Sequence, residues 1–186
     1  MVNLLSLYHQ IPATQQHLLS SRIKTSGFKK GDFVLVDGEV QEHLYLVKKG
    51  VLILYYDQED MFKVLDFAYG NRFCADLDSF SNQKPSNYCI QCIQECEVEL
   101  ISIDDLEEIF DAAPDVERAY RILMERILTA LLKKSLNQEI MTIQERFKWV
   151  IGKHPGCWIL QTRGEQRSEE DGLSSCGPSK MIPTAA

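Results

Sequence analysis

The chain has 186 residues, 45% of them apolar and 25% charged, with a formal net charge of −7. This length suits one domain with an appendage, and the balance is that of an ordinary globular protein rather than a disordered one. No apolar run approaches the roughly 20 residues of a membrane helix, and the acidic total lacks the basic excess that releases phosphate counterions on DNA, although one basic face is compatible with an acidic total.

The opening "MVNLLSLYHQIP" has neither a basic leader region nor a cleavage pattern, which predicts a cytoplasmic protein without a membrane partner. Residues 13 to about 24, "ATQQHLLSSRIK", place Leu18, Leu19 and Ile23 near one face of a short helix. The period then changes. Residues 32–39, 43–50, 51–57, 61–68, 88–94 and 96–102 are short and rich in β-branched and aromatic residues. Turn signals punctuate them, with Gly38, Gly50 and Gly70 at the breaks and "DQED" (57–60) as a polar turn. Strands at this spacing predict a sandwich or barrel.

A helical pattern follows. In "SIDDLEEIF", Ser102 is placed to cap a helix with Asp105 at its third position. Pro114 suits the first turn of the next helix, which runs some 25 residues without a breaker. Val116, Tyr120, Leu123, Ile127 and Ala130 form one stripe, and Met124, Leu128 and Leu131 widen it. One reading is an ordinary core helix. The preferred reading has one side on the barrel and the other on a second copy, a homodimer through 114–140 with Val116, Tyr120, Leu123, Ile127 and Leu131 in the interface. A further helix over 142–154 ends at Pro155-Gly156, and a polar tail without periodicity follows.

Cys74, Cys89, Cys92, Cys96, Cys157 and Cys176 read as free thiols in a cytosolic protein. In "CIQC", strand alternation sends Cys89 and Cys92 to opposite faces, so they read as small buried hydrophobes and no metal site is expected. Sharing a metal would need a bulge that the sequence does not announce. His9, His17, His43 and His154 are scattered, outside any catalytic or metal-ligand spacing, so no enzyme is expected.

"KKGDFVLVDGE", "LYLVKKGVLILYY", "FCADLDSF" and "CEVELISIDDLEEIF", in that order, carry a resemblance to the Crp/Fnr family of transcription regulators over about residues 10–155. The resemblance implies a mainly β fold with flanking helices: a cyclic-nucleotide-binding double-stranded β-helix (jelly-roll) barrel followed by a long dimerisation helix. It implies a barrel with its N-terminal helix over 1–112, the dimerisation helix over 113–140, the start of a DNA-binding region over 141–155, and an irregular tail over 156–186 in place of a winged helix-turn-helix. DNA is the parent family's partner. Because the pattern stops near Pro155, the C-terminal end reads as truncated or out of frame, and this chain is not expected to bind DNA itself.

In ligand-binding members, the stretch like "FCADLDSF" is a phosphate-binding cassette of the form Phe-x-Gly-Glu-Leu, completed after a short loop by an arginine. The glycine admits the phosphate to the backbone, the glutamate accepts from the ribose 2′-OH, and the arginine neutralises the phosphate with paired donors. The corresponding positions here are Phe73, Cys74, Ala75, Asp76 and Leu77, then Ser86 and Asn87, with Phe80 keeping its apolar character. Ala75 stands for the glycine, Asp76 for the glutamate and Ser86 for the arginine. Arg72 and Lys84 are the available substitute charges. Losing a charge-assisted contact of roughly 1.5–3 kcal/mol weakens binding by about one to two orders of magnitude, so no cyclic-nucleotide cofactor is expected. The effector is then another small molecule or none. Two functions follow: the sensing and dimerisation module of such a regulator, or a ligand-independent protein that heterodimerises with intact relatives.

Overall fold

The computed structural model describes residues 1–58 and 61–140. The helix expected over 142–154, the DNA-binding start over 141–155 and the tail over 156–186 lie outside these residues, as do the last two residues of the polar turn.

The chain runs α1 (Val2–Leu5), α2 (Ala13–Arg22), β1 (Lys24–Phe28), β2 (Phe33–Leu35), β3 (His43–Gln58), β4 (Met61–Ala68), β5 (Arg72–Cys74), α3 (Leu77–Asn82), β6 (Cys89–Ser102), α4 (Ile103–Ala112) and α5 (Pro114–Ile140). It is mainly antiparallel β with flanking helices, as the sequence leads one to expect. The strands form one sheet in the order β1-β6-β3-β4, with β2 on β6 and β5 on β3.

Two strands differ from expectation. Residues 43–50 and 51–57 are one strand, β3, and residues 88–94 and 96–102 are one strand, β6. The two pair along their length, from His43 opposite Ser102 to Tyr55 opposite Cys89, with register shifts between Val47 and Leu52. Gly50 is therefore a bulge inside a strand rather than a turn between two. Its φ is +83°, and a Cβ there would meet the Glu95 carbonyl oxygen at 2.1 Å and Cys96 Sγ at 2.8 Å. Only glycine lets the two backbones approach this closely.

The bulge is also a corner. On one side of it β6 pairs with β1 through Cys96–Leu100, and β3 pairs with β5 through Tyr45–Val47. On the other side β6 pairs with β2 at Ile90 and Gln91, and β3 pairs with β4 through Leu52–Gln58. Each long strand thus serves both halves of the barrel. Side chains from both halves, including Val34, Val47, Leu52, Ala68, Ile90 and Val98, bury into one core. Strand β1, "KTSGF", is unexpected: it carries little apolar alternation, and its place comes from pairing with β6.

The described residues divide into two compact units, one of Met1 with Ser21–Glu108 and another of Val2–Ser20 with the described part of Ile109–Arg167. In the first, Ser102 caps α4: its Oγ accepts from Asp105 N at 3.2 Å and donates to Asp105 Oδ2 at 2.8 Å. Arg22 bonds the other Asp105 oxygen at 2.8 Å. In the second, Asp115 in the first turn of α5 is held by His9 Nε2 at 2.8 Å and Gln15 Nε2 at 3.0 Å. Gln15 Oε1 accepts in return from Asp115 N. Val116, Ala119 and Leu123 are buried along one stripe of α5.

Candidate functional site: the bend between β5 and β6

The bend begins where β5 ends. Phe73 lies opposite Leu46 and Cys74 opposite Tyr45 on β3, so pairing fixes the approach to the bend. Asp76 then caps α3, its Oδ1 accepting from Asp78 N at 3.1 Å and Ser79 N at 3.3 Å. Phe80, 1% exposed, anchors the helix from below. The helix ends at Gln83, whose φ of 49° turns the chain back in the left-handed region. Ala75 takes no positive φ, since among the described non-glycine residues only Asn71 and Gln83 do. Alanine is therefore accommodated there without backbone strain.

The returning loop is clipped to the segment before β3. Ser86 N donates to Glu39 O at 2.8 Å, Gly38 N donates to Ser86 O at 2.8 Å, and Val40 bridges Pro85. This double clip leaves Ser86 2% exposed and directs its hydroxyl at Asp76. Ser86 Oγ donates to Asp76 Oδ2 at 2.7 Å and accepts from Tyr88 N at 3.0 Å. Both carboxylate oxygens of Asp76 are therefore engaged within the protein.

Two residues that the sequence reading did not select complete the network. Gln41, 1% exposed, accepts from Asp76 N at 3.2 Å through its Oε1 and donates from Nε2 to His43 O at 2.7 Å. Ser79 Oγ accepts from Gln41 N at 2.9 Å and donates to Lys84 O. Nothing in the local pattern marks Gln41 or Ser79, because both are polar residues whose burial follows from tertiary pairing.

Of the two candidate substitute charges, Lys84 is electrostatically coupled to Asp76 but bonded to Asp78. Lys84 Nζ sits 2.7 Å from Asp78 Oδ2, with 54% of the lysine side chain exposed. Solvent screens such an exposed pair, so the pair itself does not withhold Lys84; its exposure does, because a solvated ammonium is a poor replacement for a buried guanidinium. Arg72 is exposed, and its guanidinium lies 4.9 Å from the Tyr69 ring centroid. Asn87 is exposed, Phe73 and Ala75 are half-buried, and Leu77 is 38% exposed.

Of the five residues expected in an interface on α5, Val116 and Leu123 are buried within the chain, and Tyr120, half-buried, packs its ring 5.1 Å from that of Phe110. Ile127 is half-buried. Leu131 is exposed, together with Leu128, Leu132 and Leu136. The apolar surface left uncovered lies in the second half of the helix.

Three cysteines, Cys74, Cys92 and Cys96, are buried free thiols; Cys89 is buried but is not among them. Among the described residues no group of three or more His, Cys, Asp or Glu side chains is placed to hold a metal, and no described helix is long and apolar enough to cross a membrane.

Residues 26–113 match the model of the cyclic nucleotide-binding domain family. Those residues are thus similar to that domain, and the fold is the jelly-roll barrel that the likeness implies. Its structural neighbours include transcription regulators, a channel domain and regulatory domains of protein kinase A. The Thermus thermophilus catabolite activator protein is 18% identical with a TM-score of 0.58, over 71% of this chain and 62% of that one. The regulator CLP of Xanthomonas campestris, described as responsive to c-di-GMP, is 17% identical with a TM-score of 0.60, over 76% of this chain and 72% of that one. The sensor domain of the regulator DNR of Pseudomonas aeruginosa is 18% identical with a TM-score of 0.54, over 77% and 99%. At these identities the likeness is one of fold. Among curated proteins, none matches the sequence.

The donors at the start of α3, Asp78 N and Ser79 N, are taken by the Asp76 carboxylate, and Asp76 N is taken by Gln41. An incoming anion would meet a buried carboxylate whose Coulombic partner, the exposed Lys84, is already paired with Asp78.

Proposed function

We propose that this chain is the sensing and dimerisation module of a Crp/Fnr-type regulator whose phosphate cassette has been converted into a structural bend that does not take cyclic AMP or cyclic GMP. The observation that carries this reading is the Ser86–Asp76 hydrogen bond of 2.7 Å, in which the residue at the arginine position satisfies the residue at the glutamate position. The bend keeps its shape without a ligand because its polar groups bond one another. The fold does not dictate one ligand, as the Xanthomonas neighbour is described as responsive to c-di-GMP, so the effector is a different small molecule or none.

Dimerisation rests on the exposed leucines of α5. Leu128, Leu131, Leu132 and Leu136 are 58%, 49%, 63% and 58% exposed, and at 3.6 residues per turn they fall within about 140° of arc. Four exposed leucines on one helix face favour association with a matching helix. A second reading, a ligand-independent partner of intact relatives, is favoured by the same face, since it needs no occupied cassette. Sedimentation equilibrium alone and with a full-length relative tests both: a self-dimer supports the first, a preferred mixed dimer the second, and a monomer in both samples contradicts each.

A further inference from the structure

The corner of the barrel holds two thiols face to face. Cys92 Sγ and Cys96 Sγ are 3.2 Å apart, and each lies 2.9 Å from the same carbonyl oxygen, that of Gln94. Residues four apart on a regular strand lie well over 10 Å from each other; the bulge in β6 brings these two together. Both are free and at most 1% exposed.

We propose that Cys92 and Cys96 form an oxidative modification site, a dithiol that hydrogen peroxide converts into an intrastrand disulfide. A disulfide has its sulfurs about 2.05 Å apart, so closure needs a sulfur displacement of only about 1 Å. The chemistry balances with the peroxide as oxidant. The Cys96 sulfur, as thiolate, attacks one peroxide oxygen. The O–O bond breaks, the departing hydroxide leaves as water with the thiol's proton, and the sulfur becomes a sulfenic acid. The Cys92 sulfur then attacks the oxidised sulfur, the S–O bond breaks, and a second water leaves with the Cys92 proton. Two thiols and one hydrogen peroxide yield one disulfide and two waters.

The division of labour follows from the contact between them. Cys92 donates to Cys96, which holds the Cys96 thiol below its usual range, while the same contact, followed by burial, pushes Cys92 up. Cys74 supplies a control in the same core: burial pushes its thiol far up, so it is expected to stay reduced. The closed bridge would sit against Gly50, whose missing Cβ would lie 2.8 Å from Cys96 Sγ. Oxidation is thereby applied at the point where β3 and β6 turn between the halves of the barrel. Burial restricts the oxidant to a small one.

The test uses the full chain, reduced, desalted and treated with hydrogen peroxide, then alkylated in denaturant. Cleavage after Glu95 separates Cys92 from Cys96, so the two peptides stay together only through a disulfide. The expected result is a linked pair lacking two hydrogens, released by a thiol reductant and lost in Cys92→Ser and Cys96→Ser, with Cys74 alkylated throughout. Fragmentation of the linked wild-type peptides distinguishes Cys92 from Cys89 as the bonded residue, so the assignment does not depend on the variants folding. Full alkylation of Cys92 and Cys96 after peroxide, or a bond from Cys96 to Cys89, would overturn the proposal.

Discussion

The hydroxyl of Ser86 reaches across the loop after α3 and donates to Asp76 Oδ2 at 2.7 Å. Because Asp76 is 8% exposed and Ser86 2%, the bond shields a carboxylate oxygen whose Coulombic partner, Lys84, is itself paired with Asp78. Removing the hydroxyl leaves that oxygen and Tyr88 N without a partner, and a buried unsatisfied group costs about 1–3 kcal/mol. Ser86→Ala is expected to lower the urea midpoint by that amount with an unchanged slope, whereas Asn87→Ala, at an exposed neighbour, stays within about 0.5 kcal/mol. Equal, negligible effects of the two would remove the structural role assigned to Ser86.

Gly50 is expected to be the least replaceable glycine in the barrel. In Gly50→Ala the new methyl would lie 2.1 Å from the Glu95 carbonyl oxygen and 2.8 Å from Cys96 Cα, at a φ of +83°. Gly38→Ala meets nothing within 4 Å at a φ of +86°, so it carries the conformational cost alone, about 1–2 kcal/mol. Overpacking adds a further 1–3 kcal/mol or so at Gly50. Chemical denaturation of both variants checks the ranking, and equal losses would contradict the close approach at the corner.

Acidification should weaken the joint between α2 and α4. The Ser102 hydroxyl first, and then Arg22, hold the Asp105 carboxyl below its ordinary value. The unfolded chain therefore takes up this proton at a higher pH than the folded one, so the stabilisation is complete above about pH 4. It is lost as the pH falls through the lower folded value. The stability difference between wild type and Asp105→Asn is expected to shrink from about pH 6 to about pH 3. A difference independent of pH over that range would contradict the ion-paired role.

The exposed half of α5 predicts an association defect that is separable from folding. Leu132, 63% exposed, loses little intrachain packing when replaced, so Leu132→Glu should leave the thermal midpoint of the monomer nearly unchanged while placing a charge in the proposed interface. Sedimentation equilibrium is expected to show a dimer for wild type and a monomer for the variant. A dimer of undiminished strength would place the interface elsewhere.

The parts of the fold legible in the sequence were those with local causes. The β-branched and aromatic runs "HLYLVKK" and "CEVELIS", the cap at Ser102 and Pro114 at the head of α5 each state their structure within a few residues. Gly50 was legible as a break but not as a bulge, since its requirement comes from Glu95 and Cys96 across the sheet. Strand β1 was hidden because "KTSGF" acquires its conformation from β6. At the bend, the substitutions at Ala75, Asp76 and Ser86 could be read by position. That Ser86 bonds Asp76, and that Gln41 and Ser79 complete the network, depends on the clip to Gly38 and Glu39. The apolar stripe of α5 was legible as spacing, but spacing does not tell which of its residues the chain buries itself.

The most direct test of the account is isothermal titration of the purified chain with cyclic AMP and cyclic GMP. With the donors of the bend engaged internally and no arginine at Ser86, no saturable heat is expected up to about 1 mM of either nucleotide, a limit equivalent to a binding free energy weaker than about −4 kcal/mol. A one-to-one isotherm with a micromolar Kd would contradict the account.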